Sequence, residues 1–179
     1  MTNAGRWDKV YKQAAESAPY GDDTTYQIAA EFLRDCRTVE DWGCGLGWFR
    51  RFLPVDCAYL GVDGSRSPFA ERIVDLESYR SACEGLLLRH VLEHNRNWRR
   101  VLDNALASFT CRMAVVLFTP LAEAETEIAR CGQTGVPDLS LPGEDLYRRL
   151  GACAVRTLTV GSRTHYGREM VLLVTRHEQ

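Results

Sequence analysis

The chain has 179 residues, of which 45% are hydrophobic, 26% charged and 9% aromatic. These are globular proportions, and they exclude a disordered chain, a collagen-like repeat and a low-complexity scaffold. A formal net charge of -2 excludes the basic field that drives general nucleic-acid binding.

Two helical stretches are predicted first, near 6–18 and 24–35, the second with Asp22 or Asp23 as its N-cap. Short apolar runs then alternate with helical patterns. Strands are predicted at 38–42, 58–62, 72–75, 85–89, 113–119, 154–160 and 169–175. Helices are predicted near 46–53, 98–108, 121–131 and 143–150. Alternation of this kind reads as an α/β fold with a mainly parallel sheet. Leu86-Leu87-Leu88 and Ala114-Val115-Val116-Leu117-Phe118 are continuously apolar, which suits central strands covered on both faces. Only 161–168 separates the last two strands, too little for a crossover helix, so they should pair as an antiparallel hairpin.

The seven cysteines (Cys36, Cys44, Cys57, Cys83, Cys111, Cys131 and Cys153) include no C-x-x-C pair. Zinc ribbons and thioredoxin chemistry therefore find no support. No apolar run approaches the length of a membrane span, and no leader pattern is present. The expectation is a cytoplasmic protein with reduced thiols and no membrane association. Lys9 and Lys12 are the only lysines, the other twenty cations being arginine. The clusters Arg96-Arg99-Arg100 and Arg148-Arg149 read as solvated helix faces.

The most informative segment is Thr38-Val39-Glu40-Asp41-Trp42-Gly43-Cys44-Gly45-Leu46-Gly47. An apolar strand runs into three glycines at alternate positions, which lets a ligand approach the backbone closely. The pattern is D-x-G-x-G-x-G rather than the dinucleotide G-x-G-x-x-G. A carboxylate at Asp41 repels a pyrophosphate and suits a ligand carrying an ammonium or sulfonium. Tyr59-Leu60-Gly61-Val62-Asp63 is a second strand ending in an acid, 22 positions after Asp41. An acid at that spacing accepts hydrogen bonds from ribose hydroxyls, and Gly64 and Ser65 follow it in the same turn. The alternative for Asp63 is a helix N-cap. A third acid ends Arg72-Ile73-Val74-Asp75-Leu76; Asp75 could reach an adenine amino group and the Leu76 N–H the ring, or Asp75 could be a plain surface residue.

These motifs, followed by Leu88-Arg89-His90-Val91-Leu92-Glu93-His94, resemble the class I S-adenosylmethionine-dependent methyltransferases. The nearest group is the small bacterial branch with a Leu-Glu-His after the fourth strand. The resemblance covers roughly residues 38–120 and, more loosely, the terminal hairpin. It implies a Rossmann-like three-layer sandwich, with a seven-stranded, mostly parallel sheet in the order 3-2-1-4-5-7-6 and strand 7 antiparallel. It implies that Gly43 and Gly45 line the methionine part of S-adenosylmethionine, that Asp41 helps orient its amino group and that Asp63 binds its ribose. One departure stands out. Asp75 follows Asp63 by only twelve positions, with Pro68 between them, so the usual second helix must shrink to about a turn.

Such a cofactor places its methyl group above the C-terminal ends of the central strands, where open α/β sheets bind ligands. His90 at the strand end is the first candidate for a base and His94 the second, because histidine titrates near neutrality. The alternatives are that His90 packs or binds cofactor and that His94 caps the next helix. Glu93 and His94 alone do not make a metal site, and no metal is expected. Arg89 would bind the cofactor carboxylate or an anionic substrate, or else form a salt bridge. Tyr11 and Tyr20 could belong to a lid or simply pack, and His165 and Tyr166 fall in a solvated turn. The glycine- and proline-rich stretch 131–143, with Thr119-Pro120, should shape an acceptor pocket.

The expected organisation is one domain over 1–179, with 1–37 a helical lid segment and 38–179 the catalytic sheet. The expected activity is methyl transfer from S-adenosylmethionine, leaving S-adenosylhomocysteine, to a small-molecule or glycan acceptor at oxygen. Two alternatives are a macromolecular acceptor, protein or nucleic acid, and a non-catalytic cofactor-binding module. The near-neutral charge and the absence of an Asn-Pro-Pro-Tyr-type motif disfavour nucleic acid. The light cover over the cleft leaves room for a partner chain, so a homodimer is compatible with the reading.

Overall fold

The structure, a computed structural model, describes residues 3–13 and 20–177. Its elements in chain order are α1 (Asn3–Gln13), α2 (Thr24–Leu33), β1 (Thr38–Trp42), β2 (Ala58–Asp63), β3 (Arg72–Ile73), β4 (Cys83–Arg89), α3 (Trp98–Ser108), β5 (Phe109–Leu117), β6 (Thr126–Arg130), β7 (Pro137–Ser140), α4 (Gly143–Leu150), β8 (Cys153–Gly161) and β9 (Arg168–Arg176). Single 3-10 turns lie at Trp48–Phe52 and Leu92–His94.

Seven strands make one sheet in the order β3-β2-β1-β4-β5-β9-β8, and β6 and β7 form a separate hairpin. Apart from the two strands added by that hairpin, this is the predicted order. The first five sheet strands pair in parallel. β9 runs antiparallel to both β5 and β8, as the short connection requires.

The apolar strands are buried on both faces because successive side chains alternate. Leu86, Leu88, Met113, Val115 and Leu117 pack with α3 and α4 on one face. Leu87, Ala114, Val116, Val171 and Leu173 pack with α2 and the 48–52 turn on the other. The result is a three-layer α/β sandwich. At the α2 N-terminus, Asp23 occupies the cap position without a side-chain bond. The amide of Thr24 donates instead to Asp22 Oδ1 at 3.0 Å.

Three elements differ from the sequence prediction. The helix predicted near 46–53 is one 3-10 turn, ended by Pro54 and pinned by aromatic packing: Tyr26 stacks on Phe49 at 6.0 Å and on Phe52 at 5.7 Å. The helix predicted near 121–131 is β6, because its partner β7 supplies the hydrogen bonds and Arg96 pairs with Glu127 on the hairpin. The third strand is two residues rather than four, and only turns join it to β2. Of the predicted helix near 6–18, the part up to Gln13 is observed, and 14–18 lies outside the described residues.

Candidate functional site

The C-terminal ends of β1, β2 and β4 open into a cavity of about 540 Å³, a size typical of small-molecule sites. Its floor is the glycine turn after β1. Gly43, Gly45 and Gly47 have φ of 75°, 52° and 65°, the left-handed region that side chains resist. The amides of Gly43 and Cys44 both donate to Val62 O, at 2.7 and 3.1 Å, anchoring the turn to β2. A side chain on Gly43 would collide with Val91, and a Cβ on Gly45 would lie 3.0 Å from the Tyr11 hydroxyl. Bare backbone therefore faces the cavity.

Asp63 ends β2 at the cavity wall. One carboxylate oxygen accepts the Gly45 amide at 2.9 Å; the other accepts the Ser65 amide at 2.8 Å and its hydroxyl at 2.6 Å. Asp41 lies behind the turn and does not line the cavity. It accepts the Tyr59 hydroxyl at 2.9 Å, and burial pushes its carboxyl up to about 7. Asp75 is exposed and accepts the Glu77 amide, while Leu76 is core and its carbonyl accepts from Asn104. Val74 N–H donates to Asp63 O, which keeps this segment beside the second strand end.

Helix α1 roofs the cavity. Arg6 donates to Gly135 O on the β6–β7 hairpin at 2.7 Å, and Asp8 accepts the Arg66 amide at 2.6 Å. Trp7 stands edge-on to His94 and stacks on Tyr11. Tyr20 lines the cavity too, and its hydroxyl accepts the His165 amide at 2.8 Å. The predicted lid aromatics, the 131–133 segment and His165 thus meet at one opening.

His90 sits where β4 ends. Its φ of 56° makes it the sole non-glycine residue with positive φ among the described residues. A strained backbone at a cavity is where function concentrates. Its Nε2 bonds to Oε1 of Glu169, and its ring packs on Phe118 at 4.8 Å and edge-on to Tyr20 at 5.9 Å. Arg89 donates from Nη2 to the same Oε1 at 3.0 Å and to Tyr20 O at 2.9 Å. Arg89 also donates from Nε to Thr25 at 3.0 Å, and lies 4.2 Å over the Tyr26 ring. The ion pair is almost fully enclosed, with side-chain exposures of 5% and 0%. Burial, with the Arg89 guanidinium beside it, pushes His90 down to about 3. Burial pushes the Glu169 carboxyl up, but the contacts with His90 and Arg89 outweigh it and hold it below the usual carboxylate range. At neutral pH the trio is a cation, an anion and a neutral imidazole. A neutral ring facing a carboxylate must donate from Nε2, so Nδ1 carries the lone pair.

His94 bonds through Nδ1 to Pro137 O at 3.0 Å and lies 3.4 Å from Asp138 Oδ1. Burial lowers its pKa more than the Pro137 carbonyl and Asp138 raise it. Glu93 does not line the cavity. Its Oε1 accepts the Phe118 amide at 2.8 Å, its Oε2 is buried without a partner, and burial pushes the acid up to about 8.

Of the sequence candidates, the structure brings Gly43, Gly45, Asp63, Arg89, His90 and His94 to the cavity wall. Asp41, Asp75 and Leu76 lie outside that wall. Gly64 and Ser65 lie in the turn that Asp63 organises. Glu169, Phe118 and Asp138 were missed. A lone acid at the head of the otherwise apolar Met170–Val174 run was the signal available for Glu169. Most of the clustered arginines pair with carboxylates, Arg99 with Glu125 and Asp145, Arg148 with Asp145, Arg149 with Asp103 and Asp145, and Arg96 with Glu127, while Arg100 donates to the Glu77 carbonyl. Among the described residues no group of three or more His, Cys, Asp or Glu could hold a metal, and no helix is long and apolar enough to cross a membrane.

No protein-family model matches the chain, and no curated protein matches it by sequence. Solved structures do match. One is the 1,6-didemethyltoxoflavin-N1-methyltransferase of Burkholderia thailandensis with 1,6-didemethyltoxoflavin and S-adenosylhomocysteine bound, at TM-score 0.64 and 15% identity over 87% of this chain and 77% of that one. Another is the N-methyltransferase NodS of Bradyrhizobium japonicum WM9 with S-adenosylhomocysteine, at TM-score 0.63 and 10% identity over 97% of this chain and 100% of that one. The cyclase SpnF matches at TM-score 0.62 and 16% identity over 87% of this chain and 81% of that one. The chain thus has the fold of the class I methyltransferases. The cyclase shares this fold, which therefore hosts more than one reaction.

Proposed function

We propose that this chain binds S-adenosylmethionine and transfers its methyl group to a hydroxyl of a small molecule or glycan. The observation that supports the oxygen assignment is His90, an imidazole at the cavity wall whose Nε2 is tied to Glu169. Bound S-adenosylmethionine supplies an electrophilic methyl group, whose bonding electrons stay on sulfur when an acceptor oxygen displaces it.

The chain's own residues fit that cofactor. Gly43 and Gly45 leave no side chain between the backbone and the methionine portion. Asp63 retains acceptor capacity for ribose hydroxyls beyond its three internal bonds, since a carboxylate offers about four lone-pair sites. Adenine would extend past Asp63 toward Asp75 and Leu76. Asp41 acts from behind the turn. Arg89 is committed to Glu169, so it serves the base rather than the cofactor carboxylate. Phe118 and Tyr20 give an acceptor an apolar wall, and the 131–133 loop and α1 exclude water. Residues 1–179 work as one unit, with 1–37 as cover.

Transfer of tritiated methyl from S-adenosylmethionine to a panel of hydroxylated aromatics and saccharides, with matched amines as controls, tests this. O-methyl products that disappear in His90→Ala support the reading. Products formed only on amines, or at the wild-type rate in His90→Ala, overturn it.

A further inference from the structure

We infer that Glu169 is the positioning residue for His90: by taking the Nε2 hydrogen it fixes the imidazole tautomer and makes Nδ1 the nitrogen that receives the acceptor's proton. This rests on His90 being the base proposed above.

The geometry comes from the topology. β9 runs antiparallel to the strand beside it, with Met170 opposite Leu117, so its first residues lie at the same edge of the sheet as the ends of the parallel strands. His90 is tied there through its amide, which donates to Val116 O at 3.0 Å. Glu169 is fully buried, and its Oε1 receives both His90 Nε2 and Arg89 Nη2. Its Oε2 is reached by the Thr25 hydroxyl at 3.4 Å. Rotating the His90 proton to Nδ1 would set the Nε2 lone pair against a buried, ionised carboxylate, which is costly. Arg89 supplies the opposite charge that lets Glu169 stay ionised there. The other titratable groups around the ring are His94 and Tyr20. When the acceptor's O–H proton passes to Nδ1, His90 becomes an imidazolium already paired with the Glu169 carboxylate, and the proton then leaves to solvent. A carboxylate that orients a histidine in this way typically matters by orders of magnitude in rate.

Long-range proton–nitrogen spectra of protein labelled with 15N-histidine read the tautomer directly, the His90 signals being identified by their loss in His90→Gln. The expected result is an Nε2–H imidazole in the wild type from pH 5 to 8. In Glu169→Gln, whose amide can donate to Nε2, the expected result is a shift toward Nδ1–H. The same variant should lose kcat by about 100-fold while its KM for S-adenosylmethionine changes by less than about threefold. An Nδ1–H ring in the wild type overturns the inference, and so does an unchanged tautomer in a folded Glu169→Gln. Should Glu169→Gln not fold, the wild-type spectrum decides alone. A wild-type Nε2–H ring together with full activity in His90→Ala would leave the positioning intact and reject the base.

Discussion

The Asp63 carboxylate at the end of β2 accepts the amide of Gly45, joining the second strand end to the glycine turn at 2.9 Å. One acid therefore shapes the turn and faces the cavity together. Asp63→Ala leaves the amide of Gly45 and both Ser65 donors without their acceptor. The expected cost is about 1–3 kcal/mol in S-adenosylhomocysteine affinity, measured by equilibrium dialysis, with a lowered Tm alongside. Unchanged affinity would show that Asp63 shapes the turn alone.

Gly43 has φ of 75° and faces Val91 so closely that any Cβ would clash. Gly43→Ala should destabilise the fold by about 1–3 kcal/mol. Adding Val91→Ala removes the collision but not the positive φ, so it should restore only part of that loss. Gly132→Ala meets nothing within 4 Å and should leave urea denaturation unchanged.

Glu93 controls how stability depends on alkaline pH. Its folded pKa is raised from 4.5 to about 8, so the native state holds a proton that the unfolded chain releases. That contribution is complete below pH 4.5 and is lost as pH rises through 8. Between pH 6.5 and 8 the loss from this group is about 2 kcal/mol. Asp41 acts in the same direction, its loss ending near pH 7. His90 acts oppositely and only between about 3 and 6.5. Thermal melts of Glu93→Gln across pH 6.5–8.5 should fall less steeply than the wild type, since the substituted amide keeps an oxygen for the Phe118 N–H and cannot ionise.

Among the described residues, Arg6 ties the roof to the hairpin and Asp8 ties it to the turn after β2. The double variant Arg6→Ala, Asp8→Ala should release S-adenosylhomocysteine several-fold faster in stopped-flow displacement. The rate of binding should change little, because most affinity differences among variants lie in dissociation.

The sheet was legible because its signals are local. Apolar runs, glycines at 43, 45 and 47 and acids at 41 and 63 each carry their meaning within a few residues. Helices α3 and α4 match their predicted spans for the same reason. The β6–β7 hairpin was not legible: 121–131 reads as a helix until the paired strand at 137–140 is known. Neither was the Arg89–Glu169–His90 trio, whose carboxylate lies about eighty positions from the adjacent Arg89 and His90 and meets them only once β9 folds back antiparallel. Asp75 and Leu76 follow a strand of two residues rather than the four predicted, and neither lines the cavity.

Isothermal titration of S-adenosylmethionine and S-adenosylhomocysteine into the protein tests the cofactor assignment most directly. Saturable binding of both ligands at a single site, competitive with each other and weakened by Asp63→Ala, is the predicted result. No binding of either ligand at high micromolar concentrations would contradict it.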